Sequence, residues 1–226
     1  MQQIKRWDYN GEGIDAQAMP ADPWEAVTHW VEAARTHAQT HEDMPDPDAI
    51  AVATVDPTGR PQVRTVLMRY LQPDGPGFYT NLSSRKGRDL RNDPRVAATL
   101  TWPSLFRAIR FVGSAQELSR EVVTDYFGSR PWGSRISAWA SHQSQPIASR
   151  AELEAAVTAY EKRWPDHGRP DDVPLPDFWG GFVIHCDEVE LWAGRRNRLH
   201  DRLVYVRTGD GDLADASSWR IERRQP

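Results

Sequence analysis

The chain has a single cysteine, Cys186, among 226 residues. No internal disulfide can form, and a cysteine-based metal site is not expected. No apolar run approaches the ~20 residues that a membrane-spanning helix requires. The N-terminus, Met-Gln-Gln-Ile-Lys-Arg-Trp-Asp-Tyr, lacks the apolar stretch of a secretory signal. Positive charge is not in excess either. Twenty-eight Lys and Arg stand against 32 Asp and Glu, a formal net charge of −4, so nothing general draws the chain to nucleic acid or to an anionic membrane. There is no Gly-x-Gly-x-x-Gly, no Walker loop, no Gly-x-Ser-x-Gly elbow and no His/Asp/Glu cluster at metal-ligand spacing. The expectation from these absences is a soluble cytoplasmic protein with no metal, no nucleic-acid partner and no membrane partner.

Tryptophan, by contrast, is plentiful, with ten residues. Such large flat side chains suit both a core and an aromatic ligand. Residues 1–20 are polar and Gly-containing and read as an arm; 21–226 read as one domain. Asp22 as N-cap and Pro23 at the first helical position predict a helix to about Thr40, with Trp24, Val27, Val31 and Ala34 on one stripe. Strand periodicity follows over 50–55, 62–70, 78–81, 95–102 and 107–118, with turns at Asp56-Pro-Thr-Gly59 and Pro73-Asp-Gly-Pro-Gly77. Helices are predicted over 84–92, 119–127, 134–141 and 149–164, the last from the capping box Ser149-Arg-Ala-Glu152. Strands close the chain at 179–192, 202–206 and 219–222. Strand and helix never alternate regularly, which argues against a parallel doubly wound sheet. A mainly β fold is expected, an antiparallel barrel with helices packed outside or at one end.

The candidate ligand sites are clusters of cations. Arg198, His200 and Arg202 are spaced by two, so an extended segment would aim all three to one side and Leu199 to the core. Such a face calls for an anion, and Trp192 nearby suits a flat one. Arg64 and Arg69 differ by five and share a ligand only across a bulge or strand end; otherwise they are solvated arginines on an edge. Ser84-Arg-Lys-Gly87 opens a helix and reads as a phosphate site or as an ordinary N-cap with exposed cations. Tyr126, Arg130 and Ser134 recur every four residues and would line one side of a near-helical path, a set suited to a phosphate monoester. Ser141-His-Gln-Ser144 is a polar cluster that could serve only as a cap. Spacing alone therefore leads to a barrel that binds phosphorylated aromatic ligands, with no reaction named.

Several separate motifs coincide with one family. They are Arg6-Trp-Asp-Tyr9, Pro20-Ala-Asp-Pro23, Phe78-Tyr-Thr-Asn81, Ser84-Arg-Lys-Gly87, Ser129-Arg-Pro131, Ala138-Trp139, Gln143-Ser144, Pro174-Leu-Pro-Asp-Phe-Trp-Gly-Gly181, Glu190–Arg202 and Trp219–Pro226. In these the chain resembles the pyridoxine/pyridoxamine 5′-phosphate oxidases over nearly its whole length. The resemblance implies an FMN-binding split antiparallel barrel and a homodimer, with FMN at the interface touched by both subunits. It implies FMN contacts from Arg64, Thr65, Val66, Leu67, Met68, Arg69, Tyr79, Thr80, Arg85, Lys86, Gln143, Ser144, Trp192 and Arg202. The substrate, a phosphorylated pyridine, would meet Arg69, Tyr126, Arg130 and Ser134 through its phosphate. Arg198 and His200 would face its ring and reacting carbon as the catalytic pair. Arg6 and Tyr9 would belong to a lid.

The implied reaction is hydride transfer from C4′ of the substrate to flavin N5. Dioxygen is the acceptor, hydrogen peroxide is released, and the amine substrate also yields ammonia. Arg202 would stabilise negative charge on the reduced ring, and His200 would assist with the substrate's hydroxyl or amine proton. Two positions depart from the family pattern. Position 69 is Arg where the family usually has Lys, a fork in place of a point charge. Position 108 is Ala where the family usually has a flavin-contacting Gln. One lost polar contact is worth roughly 0.5–1.5 kcal/mol, which implies several-fold weaker FMN binding unless a neighbour substitutes. Two other readings share the fold: a phenazine-type oxidase of secondary metabolism acting on an unphosphorylated tricycle, and a non-catalytic binder of FMN or pyridoxal phosphate.

Overall fold

A computed structural model describes residues 8–226; the expected lid residue Arg6 lies outside the described residues. The first helix, α1 (Pro23–Thr40), begins as the sequence predicts. The Asp22 carboxylate accepts the Glu25 amide, and Ala26, Val27, Trp30, Val31 and Ala34 form its buried stripe. Then come β1 (Ala49–Val55), β2 (Pro61–Leu67), β3 (Tyr70–Gln72), β4 (Gly75–Asn81), α2 (Arg85–Asn92), β5 (Arg95–Trp102) and β6 (Arg107–Glu117). Three helices follow, α3 (Arg120–Ser129), α4 (Trp132–Ala140) and α5 (Arg150–Arg163), before β7 (Trp179–Ala193), β8 (Asp201–Arg207) and β9 (Trp219–Arg224). The Ser149 cap of α5 forms, accepting the Glu152 amide, while Glu152 reaches back one residue past the N-cap to accept the Ala148 amide.

Among the described residues, all nine strands belong to one antiparallel sheet, in the order β2-β1-β5-β6-β7-β4-β3, with β8 pairing β7 and β9 pairing β8. The fold is therefore mainly antiparallel β, a split barrel. The 15-residue β7 holds it together. One edge of β7 pairs with β6 over Phe182–Ala193. The other edge pairs with β4 over Trp179–Val183 and with β8 over Glu188–Ala193. A bulge at Val112/Gly113 lets β6 follow the bend of β7. The alternating burial of β1 and β5 points Ile50, Val52, Ala98 and Leu100 into a core shared with α1. A second cluster, built on Val123, Phe127, Ile136, Val173 and Trp179, seats α3, α4 and α5 beside the first half of β7.

Two local expectations are corrected. Strand β2 ends at Leu67 rather than Tyr70, because Met68 turns into the core at 1% exposure and donates its amide to the Asp48 carbonyl. The segment 198–202 is not one extended strand. Arg196–Arg198 form a 3-10 turn, with Asn197 and Arg198 at φ 57° and 61°, and β8 starts only at Asp201. Arg198, His200 and Arg202 therefore do not share a strand face, and Leu199 is 68% exposed instead of facing the core. Nor is the arm wholly unpacked, since Ile14 is buried in the main core.

Candidate active site

At the Trp179 end of β7 lies a cavity of about 450 Å³. Its walls are Thr65–Leu67 at the end of β2, Arg69, Tyr79–Asn81 of β4, Lys86, Tyr126 and Arg130 of the α3–α4 corner, four α4-side residues, Gln143 and Trp179. Tyr126, Arg130 and Ser134 do converge here, although the path is not one helix. Arg130 caps α3, and Pro131 starts α4 in a new direction. Arg64 and Arg69 do not share this ligand space. Arg64 turns to the Val52 carbonyl, to Thr54 Oγ1 and toward buried Asp89 at 3.6 Å. Arg69 reaches the cavity with its Nη1 2.5 Å from Asp48 Oδ2; Asp48 also takes Arg35 at 2.9 Å. Met68 is core, and Arg85 is held by Asp56 at 3.0 Å.

The electrostatics of the cavity ask for an anion. Lys86 is buried, and its Nζ donates to Gln143 Oε1 at 2.8 Å and to Thr80 Oγ1 at 3.1 Å, all neutral acceptors. Burial, reinforced by the charge of Arg64, lowers its pKa to about 8. The Arg130 guanidinium lies over the Trp179 ring at 4.9 Å and the Phe127 ring at 5.8 Å. Among the described residues, its buried Nη1 has no hydrogen-bond partner. A buried, unsatisfied cationic donor is costly unless a ligand completes it. At the helix start, Ser84 accepts the Gly87 amide at 3.3 Å and Ser144, at φ 71°, accepts the Arg85 amide at 3.1 Å. An anionic group such as the phosphate of FMN or of a substrate fits this donor set. Tyr79 stacks flat on Tyr126 at 3.8 Å, and burial pushes its phenol up to about 12.

The remaining expected residues gather at the other end of β7. Trp192 pairs with Ala108 on one side and Arg202 on the other. Tyr9 of the arm meets Phe106, Trp192 and His200 edge-on, with ring centroids at 5.5, 5.9 and 5.2 Å. The Arg195 amide donates to His200 Nδ1 at 3.1 Å. Arg202 grips Glu190 with two bonds, Nε to Oε1 at 2.7 Å and Nη2 to Oε2 at 3.0 Å, and Arg110 donates to the same carboxylate at 2.7 Å. Arg198 has no ion-pair partner among the described residues. Beside Ala108, the next residue on its face is Arg110, already committed to Glu190. Among the described residues, no group of three or more His, Cys, Asp or Glu could hold a metal ion, and no helix is long and apolar enough to cross a membrane.

Trp179, Asn81, Ser137 and Ala138, which spacing does not single out, line the cavity, as does Ser141 of the polar cluster. The spacing of Ser134, Ser137, Ala138 and Ser141 is that of one helix face, and extending the Ser134 assignment along it would have found them. Glu190 could not have been singled out, because its role depends on arginines from two other positions in the sheet.

Comparison with known proteins decides the family. A sequence profile described as "Pyridoxamine 5′-phosphate oxidase" matches residues 36–163, and one described as "Pyridoxine 5′-phosphate oxidase C-terminal dimerisation region" matches 179–226. The chain belongs to the pyridoxine/pyridoxamine 5′-phosphate oxidase family. Curated members of that family include a protein of Kineococcus radiotolerans, 41% identical over 98% of this chain and 97% of its own length. Another, from Streptomyces avermitilis, is 43% identical over 98% and 94%. Both are named pyridoxine/pyridoxamine 5′-phosphate oxidase. Among solved structures, PhzG of Burkholderia lata, in complex with tetrahydrophenazine-1-carboxylic acid, superposes with a TM-score of 0.82 at 26% identity. That match covers 96% of this chain and all of the other. The family's dimerisation region spans β7 to the C-terminus, the part that carries Trp192, Arg198, His200 and Arg202.

Proposed function

We propose that the protein is an FMN-dependent oxidase that converts pyridoxine 5′-phosphate or pyridoxamine 5′-phosphate to pyridoxal 5′-phosphate. The alcohol and dioxygen give the aldehyde and hydrogen peroxide; the amine, with water as well, also releases ammonia. The observation that carries this reading is the convergence of Tyr126, Arg130 and Ser134 on one cavity, with Arg130 Nη1 buried and unpaired. That set suits a phosphate monoester. It favours the phosphorylated pyridine over the carboxylated tricycle bound by the Burkholderia protein.

FMN, when bound, supplies the acceptor for the two electrons of the substrate C–H bond and passes them to dioxygen. Thr65–Leu67, Thr80, Lys86 and Gln143 are the residues of the cavity that would hold it, with Lys86 neutralising its charge. Arg69, Tyr126, Arg130 and Ser134 would orient the substrate through its phosphate. The other half of the site must come from a second copy. Trp179 and Trp192 are thirteen residues apart on β7, about 40 Å along the strand, too far for one ligand to touch both ends of the same chain. A two-fold dimer brings the Trp192 end of one copy against the cavity of the other and makes two equal sites. Trp192, Arg198, His200 and Arg202 would then face FMN and substrate across the interface. With Nδ1 engaged by the Arg195 amide, neutral His200 carries its proton on Nε2 and serves as a donor that orients the substrate's oxygen or nitrogen.

The test is direct. The purified protein should show a flavin spectrum that bleaches on anaerobic addition of either phosphorylated substrate, and should form peroxide and pyridoxal 5′-phosphate under air. Bound FMN with no turnover of either substrate would sink the proposal.

A further inference from the structure

Asp201 stands between two expected site residues, His200 and Arg202, and no ligand-facing role falls to it. Its side chain is nonetheless only 12% exposed and has partners from three separate parts of the chain. Oδ2 accepts the Ile14 amide at 3.0 Å and Arg195 Nη1 at 3.3 Å. Oδ1 accepts Nη1 of Arg223 on β9, and Arg223 Nη2 donates to the Ile14 carbonyl at 3.2 Å. Carboxylate and guanidinium together thus take both backbone groups of Ile14, as a neighbouring strand would. Gly13 makes this close approach possible. Its φ is 82°, and a Cβ there would stand 2.4 Å from Asp201 Oδ2 and 2.5 Å from Arg195 Nη1.

What is held in this way lies directly on the proposed site. Upstream of Ile14, Asn10 Oδ1 accepts Arg196 Nε at 2.8 Å, and Tyr9 rests edge-on against His200. Arg195, the residue tied to Asp201 by its side chain, gives its backbone amide to His200 Nδ1. We infer that Asp201 is a positioning residue for the reaction: its carboxylate clasps the arm, the 195–200 loop and β9, and so fixes where Tyr9 and His200 meet the substrate. Asparagine cannot replace it. The amide could still accept from Ile14, but two guanidiniums would be left against a neutral group that itself carries donors. The kinetic part of this inference rests on the oxidase reading; the clasp itself does not.

Hydrogen exchange and kinetics on the full-length holoprotein test it. In Asp201→Asn, amide exchange in the 9–19 segment should rise about tenfold or more. KM for pyridoxine 5′-phosphate should rise about tenfold, with FMN affinity within about twofold of the parent. Tyr9→Ala should raise KM similarly, and the double variant should be no worse than Asp201→Asn alone, because both act through one arrangement. A residue that merely stabilised the fold would lower FMN affinity and KM performance together, and its effect would multiply with that of Tyr9→Ala. Unchanged exchange, multiplying losses, or FMN loss in parallel with KM would each overturn the inference. Should Asp201→Asn fail to fold, Gly13→Ala strains the same clasp from the other side and should give the same exchange and KM changes; normal values for both would overturn it. Should the parent protein oxidise neither substrate, the oxidase reading fails, and exchange in the 9–19 segment alone decides the clasp.

Discussion

The backbone amide of Arg195 donates to Nδ1 of His200 at 3.1 Å, and this single bond decides what the imidazole can offer. The neutral ring must carry its proton on Nε2, so what it can offer a ligand on that side is a donor. His200→Gln, which keeps an N–H near that position, should retain far more activity than His200→Ala. For the alanine variant kcat/KM should fall about 10–100-fold, the worth of one hydrogen bond to a charged or developing-charge partner. Equal losses in the two variants would contradict the donor role. Nitrogen-15 NMR of the ring reads the tautomer independently.

Lys86 gives a pH dependence with a definite sign. Burial, with Arg64 adding to it, lowers its pKa to about 8 from an ordinary 10.5. The folded apoprotein therefore binds fewer protons than the unfolded chain between those values, and its stability should rise with pH across that window. An anion beside Lys86 favours the charged form, so FMN binding takes up a proton above pH 8. FMN affinity should weaken as pH rises from about 8, by up to about tenfold per unit. Lys86→Met should bind FMN weakly with no such slope. Titrating FMN fluorescence against pH in both proteins checks this.

Arg130 is held flat by aromatic faces, with its Nη1 left for a ligand. Arg130→Ala should raise KM for pyridoxine 5′-phosphate by about 10–150-fold, from the loss of a charge-assisted bond worth about 1.5–3 kcal/mol. It should leave any turnover of unphosphorylated pyridoxine unchanged. Trp179→Leu, which removes the platform and keeps the cation, should raise KM by about 2–30-fold. Steady-state kinetics with the two substrates separate these effects.

Glu190 joins Arg202 to Arg110 and is only 5% exposed. Burial pushes its carboxyl up, but hydrogen bonds from Arg202 and Arg110 outweigh this and hold it below the ordinary 4.5. Its contribution to stability is therefore present above about pH 4.5 and is lost as pH falls further. Glu190→Ala should cost about 2–3 kcal/mol at neutral pH by urea unfolding, less than the ~3–5 kcal/mol for breaking a fully buried pair, because the arginines remain partly solvated. It should also weaken FMN binding by freeing Arg202.

The strand and helix pattern was largely legible because each element carries a local cause: Asp22 and Pro23 for α1, the Ser149 capping box for α5, period-two burial for β1 and β5. Spacing fails at 196–202 because a period of two assumes extended backbone, whereas the positive φ of Asn197 and Arg198 bends the segment into a turn. Which cations are free was not legible at all. Arg64 is neutralised by Asp89 of α2 and Arg202 by Glu190 of the neighbouring strand β7, contacts between separate elements, and sequence spacing says nothing of them. The separation of the expected residues between the two ends of β7 also needed the fold, since it follows from β4 and β8 sharing one edge of a single strand.

That division is tested most directly by mixing two variants that are each impaired with pyridoxine 5′-phosphate well below the parent KM. Arg130→Ala damages the cavity at one end of β7, and His200→Ala damages the other end. Each homodimer carries two broken sites. A heterodimer carries one site broken on both sides and one wholly intact. After unfolding, mixing in equal amounts and refolding, half the dimers are mixed, so kcat/KM should rise to about one quarter of the parent value. Activity that stays at the sum of the two separate variants would contradict a site shared between two copies.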